Sequence, residues 1–273
     1  MDEPTFKDEV EQEPINVPRA ALRFAKAVAY PNLDVQLYMD LLEGLAEWSR
    51  SRLSKVHDVR KRALNLADFL FKQLEIQGNT RDYNDPRNSY LNEVLNRRLG
   101  IPISLAVIYV TVAQHLDLPA YGIGLPGHFL ISIQTPDGDL YIDPFHSGEP
   151  LSIEDCMRLV ERTTGHQGPL QEEWLQPVSE VAILTRMLNN LRQIYMRAQA
   201  WDMALRVIEH LRILQPDMPE LLRDLGIIHH NSGSLRLALE FYEQYLRLRP
   251  NAADADQVKH HLENAAARLA RLN

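Results

Sequence analysis

An offset of 34 residues in the C-terminal third of the chain constrains its fold more than any other feature. AWDMALRVIEHLRILQPD and SLRLALEFYEQYLRLRPN align at this offset, and residues recur in place, among them Ala204 with Ala238 and Pro216 with Pro250. Both segments have apolar residues at the spacing of one helix face. A period of this length indicates that the region is built from similar pairs of helices that stack on one another.

This period is that of tetratricopeptide repeats, in which helices pack as antiparallel pairs. In the second copy we expect Gly226 where two helices approach closely and Ala238 where they cross, whereas the first copy has Arg192 at the position of Gly226. The last stretch, ADADQVKHHLENAAARLARL, is predicted to be the polar helix that caps such a stack. Because two copies are fewer than normally fold alone, this region should pack against the rest of the chain.

Helical periodicity also covers most of the N-terminal half. PRAALRFAKAVAYP opens with a proline and closes before another, as helices do. Asp85 can cap a helix that begins at Pro86 and stops at Gly100, and a further helix should run from Pro102 to about Leu116. The earlier segment LDVQLYMDLLEGLAEWSRSRL carries an apolar stripe that we expect to face the core, formed by Leu37, Leu41, Leu42 and Leu45.

The pattern then changes from helical to extended. HFLISIQ and LYIDPF are short, β-branched or aromatic, and separated by the turn cluster TPDGD, which makes them the only convincing β-hairpin of the sequence. A short helix follows at IEDCMRLVER, where Ser152 and Asp155 are spaced as a capping box. The stretch TTGHQGPLQEEWLQP is expected to be an exposed connector.

These patterns predict an α+β, mostly helical chain with two domains. The first, residues 1–176, is expected to be helical with a small antiparallel sheet, and its residues 1–15 are expected to form a loose tail. The second, residues 177–273, is expected to be an all-α repeat domain that ends in a cap helix.

Composition narrows the function. A formal net charge of −8 weighs against a nucleic-acid-binding surface, and the longest apolar run, Ile101 to Ala113, is too short to cross a bilayer. The single cysteine, Cys156, rules out an internal disulfide and a cysteine-rich metal site, and its position in an amphipathic helix suggests core. We expect a cytoplasmic protein with no nucleic-acid or membrane partner.

Three polar residues stand where chemistry is possible. Ser104 lies at a helix start, His128 opens the first strand of the hairpin, and Asp143 closes the second. A nucleophile, a base that takes its proton and an acceptor that orients the base are the parts of a hydrolase or acyl transferase. Unpaired N–H groups at the helix start would add a place for an oxyanion.

At these residues the chain resembles a known family. NSYLNEVLNRRLGIPISLAVIYV, GLPGHFLISI and YIDPF resemble the transglutaminase-like core of bacterial SirB-type proteins (regulators of sirC expression), which carry tetratricopeptide repeats after that core. The resemblance implies a transglutaminase-like, papain-like fold for the first domain. In such folds a cysteine at a helix start is followed by a histidine and an aspartate on adjacent strands. Ser104 takes the place of the cysteine, and His128 and Asp143 take the other two places.

Serine at the cysteine position changes the expected function. A hydroxyl ionises far less readily than a thiol, whose pKa is about 8.5, so Ser104 would need His128 as a general base at hydrogen-bond distance. We therefore predict a pseudoenzyme: a regulatory module without catalytic activity, which binds a protein or peptide through its repeat domain. The alternative is a Ser-His-Asp hydrolase or acyl transferase that acts on peptides or amides.

The hairpin register is decisive for the triad. If Asp137 and Gly138 form a two-residue turn, Asp143 lies opposite Ser132, and His128 sits four residues further along its strand. A longer loop or a bulge would have to bring Asp143 toward His128.

Two further sets of residues have alternative interpretations. Asn92 and Asn88 share a predicted helix stripe with Asn96 and could direct N–H donors toward Ser104, but hydrogen bonds to the backbone of the loop around Tyr83 and Asn84 are favoured for them. His128, Asp143 and His146 could converge as zinc ligands, but no HxxxH-like spacing supports this, so neither a metal nor a cofactor is expected.

Overall fold

A computed structural model describes residues 3–272 of the chain. The chain divides into two compact units, Met1–Met187 and Leu188–Asn273. The domain limits predicted from the sequence, with a boundary after residue 176, stay a prediction. None of the helices between residues 3 and 272 combines the length and the apolarity that crossing a membrane requires.

The first unit is largely helical. Its helices are α1 (Phe6–Val10), α2 (Val17–Val28), α3 (Val35–Leu53), α4 (Val59–Ala67), α5 (Leu91–Arg97), α6 (Pro102–His115) and α7 (Ile153–Thr164). A π-helical turn, Asp68–Gln73, extends α4, and 3₁₀ turns cover Pro86–Asn88 and Glu172–Leu175. Helix α6 lies at the centre, with almost every residue buried, and packs against α2, α3, α4 and the sheet. The apolar run from Ile101 to Ala113 therefore contributes to the core on nearly every face of α6.

Strands complete this unit. They are β1 (Gln77–Gly78), β2 (Leu99–Gly100), β3 (Ala120–Ile123), β4 (Leu130–Ile133), β5 (Leu140–Asp143) and β6 (Glu149–Leu151). The first two form a short parallel pair, and the other four form an antiparallel sheet in the order β3-β4-β5-β6. The predicted hairpin is confirmed as β4 and β5. The two outer strands were not predicted, because both are short and contain glycine or proline.

The second unit consists of helix pairs. After α8 (Glu180–Arg197) come α9 (Trp201–Leu214), α10 (Pro219–Asn231), α11 (Leu235–Leu248) and α12 (Ala255–Ala270). The predicted close approach at Gly226 is confirmed, because a Cβ there would collide with the ring of Tyr242 on α11. Ala238 is fully buried, as expected at a crossing. Arg192 stands where the first copy lacks the glycine and forms an ion pair with buried Asp224.

Two predictions about helices of the first unit were wrong in part. Leu37 and Leu41 are exposed, whereas Leu42 of the same predicted stripe is buried. The buried residues of α3 are Val35, Leu42, Ala46, Ser49 and Leu53. The helix predicted from Pro86 to Gly100 is interrupted at Ser89 and Tyr90. The buried Tyr90 ring packs between Phe24 and Tyr30, and its extended backbone separates the 3₁₀ turn from α5.

The segment expected to be a loose tail is packed, and the segment expected to be an exposed connector is anchored by an aromatic side chain. Within the predicted tail, α1 is capped by Thr5, buries Phe6 against Phe24 and places Glu9 beside Arg23. Residues 1 and 2 lie outside the described residues. The predicted connector is mostly exposed, as expected, but the partly buried Trp174 packs with its neighbours on the core around Cys156. In both cases aromatic side chains anchor a polar segment, and burial of their rings outweighs the polarity of the rest.

Candidate functional site

His128 and Asp143 meet at one end of the sheet. The paired residues Ile131–Ile142 and Ser132–Tyr141 show that the hairpin register differs by two residues from that of a two-residue turn. Gly138 closes a turn with Thr135, so Asp143 comes opposite Leu130, on the same face as His128. His128 Nε2 and Asp143 Oδ1 are 3.0 Å apart. The longer loop thus supplies the shift that a His–Asp pair requires.

The carboxylate of Asp143 is held from several sides. Its Oδ1 also accepts hydrogen bonds from the backbone N–H groups of Phe145 and His146, and its Oδ2 lies 2.7 Å from His146 Nδ1. Burial by itself raises the pKa of Asp143, but the hydrogen bonds and charges of His128 and His146 outweigh it and lower the pKa to about 2. Asp143 is therefore an ionised acceptor that orients two imidazoles.

Arg186 on α8 fixes the backbone at His128. Its guanidinium donates to the carbonyl oxygens of Leu125 and His128 and lies over the ring of Phe129, 5.3 Å from the centroid. Burial lowers the pKa of Arg186. Because a guanidinium supplies several donors in a rigid plane, it can bind both carbonyl groups at once and so fix the loop from Leu125 to His128. The sequence alone does not point to Arg186, since a lone arginine in a helix carries no local pattern that indicates a functional role.

Aromatic side chains border the His–Asp pair. The Phe145 ring lies 6.3 Å from the His128 ring and 5.8 Å from that of Tyr83. Phe145 packs so closely on Gly78 that a Cβ there would collide with its ring and its carbonyl. Glycine in β1 is thus required by the approach of the β5–β6 loop. The half-exposed Tyr83 was seen in the sequence only as part of a loop.

Ser104 is buried and its hydroxyl is engaged in the backbone. Ser104 Oγ accepts a hydrogen bond from Ile101 N at 3.1 Å, and it lies 2.7 Å from Asn88 O and 3.0 Å from Ile101 O, to which it can donate. Ser104 is the third residue of α6, after Pro102 and Ile103, so its side chain turns back toward the residue that precedes the helix. Within residues 3–272, no hydrogen bond joins Ser104 to His128.

The two asparagines have different environments. Asn88 Nδ2 donates to the carbonyls of Asp82 and Tyr83, so this amide fixes the loop, as the favoured interpretation expected. The Oδ1 atom of buried Asn92 has no hydrogen-bond partner among the described residues. The expected stripe with Asn96 is wrong because Asn88 lies in the 3₁₀ turn rather than in α5, and Asn96 donates to the hydroxyl of Tyr38. Oxyanion support by either asparagine stays a prediction.

Cys156 is core, as predicted. Its thiol is fully buried in the cluster behind the sheet, and burial raises its pKa to about 12. A thiol with that pKa is not a nucleophile at neutral pH.

Family comparisons agree with this architecture. Residues 36–189, more than half of the chain, match the sequence model described as the transglutaminase-like superfamily. The chain belongs to that superfamily. Residues 191–263 match the tetratricopeptide repeat model, so a transglutaminase-like domain precedes tetratricopeptide repeats, and the predicted fold class is confirmed.

Relatives extend the match to most of the chain. A UPF0162 protein of Xylella fastidiosa is 37% identical over 256 residues, which are 93% of this chain and 91% of that protein. A UPF0162 protein of Vibrio cholerae is 29% identical and covers 88% of each chain. F-box only protein 21 of Homo sapiens is 31% identical over 166 residues, 56% of this chain and 25% of that protein. The chain is thus a UPF0162 family member, and the narrower SirB-type resemblance stays a prediction.

Proposed function

We propose that this transglutaminase-like protein is a non-catalytic regulatory module that binds a protein or peptide through its repeats. One observation carries the proposal: the hydroxyl in the expected nucleophile position, Ser104 Oγ, is fully buried and shared among three backbone groups. An attacking hydroxyl must reach the substrate and give its proton to a base. Ser104 can do neither without breaking the hydrogen bond that caps α6.

The surrounding groups support the same conclusion. Pro102, the first residue of α6, has no N–H, so this helix start offers one donor fewer for an oxyanion. The single thiol is buried behind the sheet. The His128–Asp143 pair then has no nucleophile to activate, and it serves as a polar contact between the ends of β4 and β5. Because the one cysteine is free, we place the protein in the cytoplasm.

A fluorophosphonate probe, which labels activated serines, tests the proposal directly. Wild-type protein and Ser104→Ala should show the same labelling as a denatured control, measured by mass spectrometry of the peptide that contains residue 104. A Ser104→Cys variant should stay unmodified by iodoacetamide in the folded state, because the new thiol occupies the same buried position. Labelling of wild-type Ser104 that is lost in His128→Ala would overturn the proposal.

The repeat unit supports the binding role. Tetratricopeptide repeats present extended helical surfaces to peptides, and residues 191–263 match that repeat. A partner captured by the full chain and then purified should lower hydrogen–deuterium exchange in residues 188–272 more than in residues 3–187. Protection confined to the first unit would argue against the repeats as the binding element.

A second candidate function is a Ser-His-Asp hydrolase or acyl transferase for peptides or amides. The 3.0 Å contact of His128 Nε2 with Asp143 Oδ1 favours it, because an aspartate that orients an imidazole is the base half of a catalytic triad. This candidate requires Ser104 to turn out of its cap. Ester or amide hydrolysis that disappears in both Ser104→Ala and His128→Ala, with both variants folded, would establish it over the binding role.

A further inference from the structure

Three metal-binding side chains converge at the end of the sheet where His128 meets Asp143. One ring nitrogen of His128, one ring nitrogen of His146 and a carboxylate oxygen of Asp143 all lie within 4.8 Å of one another. His128 precedes β4, Asp143 ends β5, and His146 lies in the loop to β6, so only the tertiary structure brings them together. Two imidazoles and one carboxylate are a ligand set that divalent transition metals bind.

The separations suit one ion. Ligand atoms about 2.1 Å from a tetrahedral Zn²⁺ are about 3.4 Å apart. The two histidine nitrogens lie 3.0 and 2.7 Å from the two oxygens of Asp143, so small side-chain rotations reach that spacing. The nitrogens that now face the carboxylate would coordinate after the proton moves to the opposite nitrogen of each ring. The backbone N–H groups that hold Asp143 Oδ1 would still orient the ligand.

A second carboxylate stands next to this cluster. Glu149 on β6 is the direct cross-strand partner of Asp143, so both side chains are on the same face of the sheet. Like charges in this arrangement repel one another. A bound cation would offset that repulsion, and Glu149 could complete the coordination or neutralise the ion's charge. The exposed Glu149 is therefore an independent observation that favours a cation here.

The site can be reached from solvent. The side chain of His146 is 49% exposed, whereas His128 and Asp143 are buried. Asp143, His146 and Glu149 line one open cavity of about 680 Å³ beside α7. An ion held by the three ligands would keep a coordination position toward that cavity, as sites that act on a further ligand do.

We propose that His128, Asp143 and His146 bind a divalent transition-metal ion such as Zn²⁺, with Glu149 next to it. Ser104 is not one of the ligands, and the site does not depend on whether the protein binds peptides. The ligands contain nitrogen, which distinguishes the site from the all-oxygen sites of Mg²⁺ and Ca²⁺.

Calorimetric titration of the full chain with Zn²⁺, after treatment with a chelator, tests the proposal. We expect one equivalent to bind, and Co²⁺ in its place to give the visible absorption of a nitrogen- and oxygen-ligated ion. His146→Ala should weaken Zn²⁺ binding at least about tenfold, and Glu149→Gln should weaken it less. Because His146 is half-exposed, His146→Ala should stay folded even if Asp143→Asn does not, and circular dichroism checks this.

His57→Ala is the matched control, because His57 is exposed in a loop before α4 and has no ligand partners in the cluster. Its Zn²⁺ affinity should equal that of the wild type. The proposal is overturned by absence of saturable binding, by several weak equivalents, or by a His146→Ala variant that binds as tightly as His57→Ala.

Discussion

Replacing Ser104 with alanine should destabilise the transglutaminase-like domain, because the hydroxyl completes the backbone hydrogen bonding at the start of α6. The variant leaves the N–H of Ile101 and the carbonyl of Asn88 without this hydroxyl, and both residues are buried. An unsatisfied buried polar group costs about 1–3 kcal/mol, and a carbonyl with a second lone pair loses less than an N–H. We expect a loss of about 2–4 kcal/mol in the free energy of unfolding.

Native-state hydrogen exchange of the amides in α6 measures this loss, because a buried central helix opens only when most of its unit unfolds. Thr111→Val is the matched control on the same helix. The Thr111 hydroxyl donates only to Val107 O, so its removal leaves no N–H unpaired and should change the opening free energy by less than about 1 kcal/mol. If Ser104→Ala were as neutral as Thr111→Val, Ser104 would not be a structural residue, and its buried hydrogen bonds would no longer speak against a catalytic role.

Three further predictions test charge, packing and reactivity. The pKa of Asp143 is about 2 in the folded protein and about 3.9 in the unfolded chain, so its ionised form contributes about 2 kcal/mol to the free energy of unfolding above pH 4, and this contribution is lost as pH falls from 4 toward 2. In urea titrations, the difference in the free energy of unfolding between wild type and Asp143→Asn should shrink over that range. A difference that stays constant would show that Asp143 is not held ionised by its histidine partners. Gly44→Ala should raise the free energy of unfolding by about 0.5–1 kcal/mol, because alanine favours a helix and nothing lies near the new Cβ. Gly226→Ala should lower it, because the new Cβ meets a buried tyrosine ring. Thermal melting temperatures that shift in the same direction for both variants would contradict this. The Cys156 thiol should react with a disulfide reagent only as fast as the protein unfolds, and rapid reaction at neutral pH would show that it is not core.

Local sequence signals located much of the fold. The boundaries of α6 follow from Pro102 and the apolar run, and the capping box at Ser152 is present as predicted. The 34-residue offset located the helices of the repeat unit, because residues such as Ala204 and Ala238 recur at equivalent places in successive repeats. Where a local signal failed, as at α3 and at Tyr90, packing against other elements decided which face was buried and where a helix was interrupted.

The candidate site divides in the same way. His128 and Asp143 could be recognised as candidate site residues because they lie at the start and the end of a hairpin that its turn residues predict. Their contact depended on a register that alternation alone leaves undetermined, since a shift by two residues keeps every side chain on its own face. His146 was considered as a third metal ligand, but the sequence lacks the HxxxH-like spacing that is typical of zinc sites.

The sequence by itself determined most helices, the repeat, the hairpin and the identities of the polar residues. These features depend on secondary-structure propensities, turn residues and the spacing of apolar residues, all of which are local in the chain. Only the tertiary structure decided that Ser104 faces the backbone of Asn88, that Arg186 holds the His128 loop, and that His146 joins Asp143. Each of these contacts joins residues from different elements or depends on the path of a loop. Their free energies depend on burial and distance in the folded chain, and no local pattern encodes either quantity.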